Sequence, residues 1–165
     1  MSARQKLVDR LKADPGAIVE KIAKEENATP RDVVEALPQE MRKFAPGSAF
    51  VEVMKDIGGW GDVTLIVHTE DGIMEVGGPV AAGEVSHGYY NVPGSKGFHG
   101  HLRHERCNGI AFVERPFMDK SSASVLFFNI DGGIMFKVFV GRDENRALKP
   151  DQLEKFRKLA ARLCA

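Results

Sequence analysis

The chain has five histidines, His68, His87, His99, His101 and His104, and four of them fall between His87 and His104 beside both tyrosines, Tyr89 and Tyr90. Imidazole and phenolate ligate metal ions, iron among them, so a cluster holding both is a candidate metal or cofactor site. The competing reading is structural, because half-buried histidines commonly pair with a carbonyl or a carboxylate. If His99 to His104 is an extended strand, alternation places His99, His101 and Arg103 on one face and Leu102 and His104 on the other. The His-x-His pair could then reach one small ion, leaving His104 a structural role. A closed zinc site needs further ligands, for which His87 and Glu105 are candidates that no spacing singles out. No nucleophile-elbow pattern surrounds Ser121, Ser122 or Ser124, which argues against a Ser-His-Asp hydrolase.

The surroundings of the cluster also suit something bulkier than an ion. Trp60, Met74, Phe98, Phe117, Met118, Phe128, Met135 and Phe136 offer flat or polarizable apolar surface, while Lys96, Arg103 and Arg106 lie close to the histidines in sequence. A haem requires that mixture: apolar walls for the porphyrin, cations for two propionates, and one or two axial His or Tyr ligands. The same aromatics would equally build a core, Phe128 and Phe136 in particular. From the residues alone, haem and a small metal ion both stay open.

The elements that must position these groups divide the chain in three. Residues 1–38 read as helical. Leu7, Val8 and Leu11 form one apolar stripe before Asp14-Pro15-Gly16, and Ile18, Val19, Ile22 and Ala23 form another before Asn27. Thr29-Pro30 then caps and opens a third helix carrying Val33, Val34 and Leu37, which Pro38 ends. The run from Ile22 to Leu37 has the outline of a helix-turn-helix, but Arg31 is offset by Asp32 and Glu35, and phosphate contact needs a local positive excess. A trihelical lid or dimerisation element is the preferred reading.

Residues 49–141 read as short antiparallel strands punctuated by glycine. Val63 to Val67 and Ile73 to Val76 flank a Glu70-Asp71-Gly72 turn, and Ser124 to Phe128 and Ile134 to Val140 flank Asp131-Gly132-Gly133. Further strands are expected at Tyr89 to Val92, His99 to His104 and Ile110 to Glu114. Strands joined by tight turns pair antiparallel, so the fold class is α+β, a large antiparallel β-sheet with an N-terminal three-helix segment and a C-terminal helix. That last helix, residues 150–164, is capped by Pro150-Asp151 and turns Leu153, Phe156, Leu159, Ala160 and Leu163 to one face.

With 165 residues the chain fits one domain and can bury a substantial core. Its 23 basic and 23 acidic residues cancel, so no global charge draws it to nucleic acid or to an anionic membrane. Cys107 and Cys164 are too few for a disulfide framework, in keeping with a reducing compartment. Charges interrupt the amino-terminal segment, and no run approaches the ~18 apolar residues of a membrane span, so the expected location is cytoplasmic. No nicotinamide or flavin fingerprint is present.

Six segments together carry a family resemblance: Trp60 to Thr69 (Trp-Gly-Asp-Val-Thr-Leu-Ile-Val-His-Thr), His87 to Asn91 (His-Gly-Tyr-Tyr-Asn), Gly100-His101-Leu102, Arg115 to Met118, Val125 to Asn129 and Met135 to Asp143. On these the chain resembles the bacterial HutX/ChuX family of cytosolic haem utilisation carriers over nearly its whole length. The resemblance implies a homodimer whose subunits are similar in architecture to one half of the two-repeat HemS/ChuS haem-degrading proteins. It implies a protein that holds haem and passes it to a haem-degrading partner without being an enzyme itself. The family's haem-associated histidines fall on His68 and His101 and its tyrosine on Tyr89, which makes these three the candidate iron ligands. Tyr90, at the next position where relatives can have Phe, is the weaker cofactor-binding candidate, and Lys96 and Arg103, cations close to the histidines in sequence, complete the candidate cofactor-binding set. His99 and His104 stand where relatives carry other residues, and Asp119 stands where glycine is common. Two alternatives remain at this point: a haem- or metal-dependent enzyme using the cluster, and a haem-responsive DNA-binding regulator using the amino-terminal helices.

Overall fold

The computed structural model describes residues 1–94 and 96–165. Its first three helices are α1 (Ala3–Ala13), α2 (Val19–Glu25) and α3 (Pro30–Glu35). Local chemistry explains their ends. Ser2 accepts from the Gln5 amide at α1, and Thr29 and Asp32 form a reciprocal capping box at α3, with Pro30 in the first turn. Leu7, Leu11, Val19, Ile22, Val33, Val34 and Leu37 pack with Ala111, Val113, Leu126 and Phe128 on one face of the large sheet. Arg115 anchors the start of α2, donating from Nη1 to the carbonyls of Pro15 (3.0 Å) and Ala17 (2.5 Å). Arg31, the one cation of the would-be recognition helix, is committed within the fold. It donates to Glu35 and to the Asn108 carbonyl and lies over the Phe128 ring.

The large sheet is antiparallel, with strand order β1-β7-β8-β9-β2-β3. Its strands are β1 (Arg42–Ala45), β2 (Val63–Thr69), β3 (Gly72–Gly78), β7 (Cys107–Phe117), β8 (Lys120–Asn129) and β9 (Ile134–Phe139). Both hairpins expected from turn residues form: Thr69 faces Gly72 across the first, and Asn129 Oδ1 accepts from the Asp131 and Gly133 amides in the second. At the β7–β8 turn, Met118 and Asp119 both adopt positive φ (52° and 64°), a conformation a glycine would enter more cheaply than Asp119 does.

Three expectations for residues 49–141 need correction. The segment opens with a helix, α4 (Phe50–Ile57), whose Phe50, Val53, Met54 and Ile57 are buried at helical spacing. β4 (Glu84–Ser86), β5 (Tyr89–Val92) and β6 (Gly100–Leu102) form a separate three-stranded sheet rather than extending the large one. The strand expected over His99 to His104 is thus only three residues long, and a 3-10 turn occupies His104–Arg106. The small sheet packs Tyr90, Val92 and Leu102 into the core that α4 and the second face of the large sheet build from Val63, Leu65, Val125, Phe127, Phe136 and Val138.

The last helix, α5 (Pro150–Leu163), closes that core with Phe156, Leu159 and Ala160. Its N-cap is Lys149, with no side-chain cap, instead of the expected Pro150-Asp151 pair. The buried Gln152 ties it down, donating to the carbonyls of Trp60 and Asp62 and accepting from the Gly141 amide.

Candidate functional site

Two stations emerge, one around His68 and one around His101. The first is built on β2, whose alternation sends Val63 and Leu65 into the α4 core and Ile66 and His68 toward the amino-terminal helices. His68 meets Glu20 of α2, with Nδ1 3.4 Å from Oε1, and Glu20 Oε2 lies 2.7 Å from Nζ of Lys137 on β9. The Glu20 side chain is 19% exposed and that of Lys137 11%. Both Glu20 oxygens are buried, and among the described residues neither receives an aligned hydrogen bond, so the Lys137 contact is an ion pair and the His68 contact a long polar one. Among the described residues no hydrogen bond engages Nε2 of His68.

Beside His68 an open groove of about 710 Å³ runs between α2 and the β2–β3 hairpin. Its walls include Ile18, Ala23, Ile73 and Ile134, with Lys21 and Lys24 among its cations. Lys24 also reaches Glu70 across an exposed 3.3 Å ion pair. An apolar cleft of this size, with a histidine in its wall and cations beside it, suits a flat apolar ligand with an anionic edge.

The second station is the outer face of the small sheet. Asn91 pairs with His101 in register, so both side chains share a face with Tyr89, while Tyr90 and Leu102 turn inward. His101 Nδ1 lies 2.6 Å from Asn91 Oδ1. The Tyr89 and His101 rings meet edge to face at 6.0 Å, and the Arg103 guanidinium lies 5.0 Å from the Tyr89 ring centre. His87, at the β4–β5 turn, contacts Ser86 Oγ through Nδ1 at 2.6 Å. Lys96 and His99 are exposed in the connection to β6.

Tyr90 belongs to the interior, and His104 is half-buried at its edge. The Tyr90 hydroxyl accepts from the Gly83 amide at 2.7 Å, and Tyr90 is fully buried against Phe50, so it has no surface to offer a ligand. Burial pushes its phenol above the ordinary 10.0, away from phenolate. Only glycine fits at position 83, where a Cβ would overlap the Asn91 carbonyl oxygen. The His104 ring lies tilted against that of Phe50, 6.3 Å between centres, and among the described residues its buried Nε2 has no hydrogen-bond partner.

The structure therefore groups Tyr89, His101 and Arg103 and separates them from His68. No set of three or more His, Cys, Asp or Glu side chains could hold a metal ion together among the described residues. Glu20 and Lys137 were not expected beside His68. A lysine between Phe136 and Val138, inside an apolar strand, was the one local signal for them.

Comparison with known proteins agrees with this fold. Residues 43–159 match the family described as haem utilisation ChuX/HutX. The intracellular heme transport protein HutX of Vibrio cholerae is 36% identical over 159 residues, 96% of this chain and 82% of that protein. A solved structure from Erwinia carotovora is 42% identical, covers 99% of both chains and superposes with a TM-score of 0.90. The heme binding protein ChuX is 40% identical over 94% of this chain and 97% of its own, with a TM-score of 0.86. The heme degrading enzyme ChuS of Escherichia coli O157:H7 shares only the fold, at 14% identity and a TM-score of 0.75, and this chain spans 47% of it.

Proposed function

Because the chain belongs to the haem utilisation ChuX/HutX family, we propose that it binds haem inside the cell and delivers it intact to a haem-degrading enzyme. The observation that carries this reading is the His68 groove. Haem is the cargo, and the residues present fit it: Ile18, Ala23, Ile73 and Ile134 for the porphyrin faces, Lys21 for a propionate, and His68 with an unengaged Nε2 for iron. At the other station His101 and Tyr89 are the remaining iron ligands we propose, with Arg103 and Lys96 for propionates.

Exposed stations suit a carrier, which must suppress free haem yet release it to a partner. We read the whole chain, residues 1–165, as one such carrier domain and not as an enzyme. The names of the V. cholerae and ChuX relatives support transport and binding. A cytoplasmic location is supported by the relative named as intracellular; among the described residues no helix is long and apolar enough to cross a membrane. A homodimer completes the proposal, since a single haem held by both histidines would need His68 from one copy and His101 from the other.

The test is a hemin titration of the purified protein, followed by incubation of the complex with ascorbate or an NADPH-driven reductase in the presence of catalase. A saturable Soret band at about one haem per subunit, micromolar or tighter (~8 kcal/mol), with the porphyrin recovered intact, is the expected result. Stoichiometric linear tetrapyrrole would overturn the carrier assignment in favour of an enzyme. Light scattering should report twice the 18.1 kDa chain mass.

A further inference from the structure

We propose that Asn91 is the positioning residue of the second station, holding His101 as the tautomer with its proton on Nδ1 and its lone pair on Nε2. The orientation of the Asn91 amide carries the argument. Its Nδ2 donates to the carbonyls of Ser86 (3.1 Å) and Glu84 (3.3 Å) on β4, and lies 3.4 Å from the Tyr89 carbonyl. Carbonyl oxygens accept only, so the nitrogen of the amide must face them and Oδ1 must face His101. An amide oxygen is itself an acceptor only. The 2.6 Å contact therefore requires a proton on Nδ1 of His101, and a neutral ring then carries its lone pair on Nε2.

That arrangement is imposed by the fold, since a histidine in water carries its proton mainly on Nε2, the nitrogen farther from the backbone. Asn91 also ties β4 to the same platform. One side chain thus sets both the ring's tautomer and its orientation relative to Tyr89, the two properties an outer partner confers on a ligating histidine. The consequence for haem rests on the transport reading above; the tautomer does not.

Long-range ¹H–¹⁵N correlation spectra of haem-free protein, taken at a pH where the imidazole is neutral, test the inference. In the wild type His101 should show a protonated Nδ1 and an unprotonated Nε2. Asn91→Ala should move the ring to the Nε2-protonated form. Amide shifts of β4 and β5 show whether the variant keeps the small sheet. In hemin titrations Asn91→Ala should bind about 10–100-fold more weakly than the wild type. A wild-type His101 protonated on Nε2, or a tautomer unchanged in Asn91→Ala, would overturn the inference. A wild type that binds no hemin but shows the Nδ1 proton and its loss in Asn91→Ala would refute the transport reading while upholding Asn91 as the positioning residue.

Discussion

His68 and His101 belong to layers packed on opposite faces of the large sheet. His68 shares a sheet face with Ile66 and meets Glu20 of α2, whereas His101 lies on the outer surface of the small sheet, whose inner surface packs onto the other face of the large one. The large sheet and the α4 core stand between them. Within one chain the two rings therefore face different surfaces, although the sequence resemblance puts both forward as candidate iron ligands.

Substitution of the histidines should therefore give separable effects. His68→Ala and His101→Ala are each expected to shift the Soret band or to weaken hemin binding by about 10-fold or more. His104→Ala should leave the spectrum unchanged, because its ring lies on the inner side beside Phe50. Parallel hemin titrations check this, and equal changes in all three variants would contradict the two-station arrangement.

The tyrosines should divide in the same way. Tyr90→Phe leaves the Gly83 amide without its acceptor in the core and should cost about 1–3 kcal/mol of stability in denaturant unfolding, with no change in the haem spectrum. Tyr89→Phe removes an oxygen on the outer face and should alter the spectrum with little loss of stability. A Tyr90→Phe protein as stable as wild type would show that the buried hydroxyl contributes nothing.

Glu20 and Lys137 should behave as a coupled pair. Glu20→Ala strands the largely buried ammonium of Lys137 and is expected to destabilise the protein by about 3 kcal/mol, whereas Glu20→Ala combined with Lys137→Met should recover a substantial part of that loss. Chemical denaturation of the two single variants and the double variant measures the coupling. Additive losses would mean that the two charges do not interact.

Alkaline stability should report on Cys107. Burial raises its thiol from 9.0 to about 11. A folded pKa above the unfolded one means a contribution fully present below pH 9.0 that is lost as the pH rises through about 11. Burial of the Tyr90 phenol acts in the same direction at higher pH. Cys107→Ser keeps a donor for the Gly109 carbonyl and does not titrate, so its unfolding free energy should fall less steeply than the wild type's between pH 9.0 and about 11. Parallel slopes would remove Cys107 from the account.

What the sequence determined by itself was local or periodic. The Thr29-Pro30 cap, the two glycine-bearing hairpins and the apolar stripe of the last helix depend on neighbours a few residues apart, and all appear where such spacing puts them. Alternation alone separated His101 from Leu102, and the six motifs together identified the family. Tertiary structure decided what depends on distant partners. Phe50, Val53, Met54 and Ile57 have helical spacing, but their β-branched and aromatic types suit a strand equally well, and burial against the core settles the matter. Pairing energy comes from the partner strand, so nothing in Arg42–Ala45 announces that it will join β7, or that β4, β5 and β6 will form a sheet of their own. The same holds at the stations. Glu20 is brought to His68 by the packing of α2 onto the sheet, and the register of β5 with β6 aligns Asn91 with His101. A side chain's type states what chemistry it can do; which ring nitrogen is left free to do it depends on a hydrogen-bond partner that only the folded chain supplies.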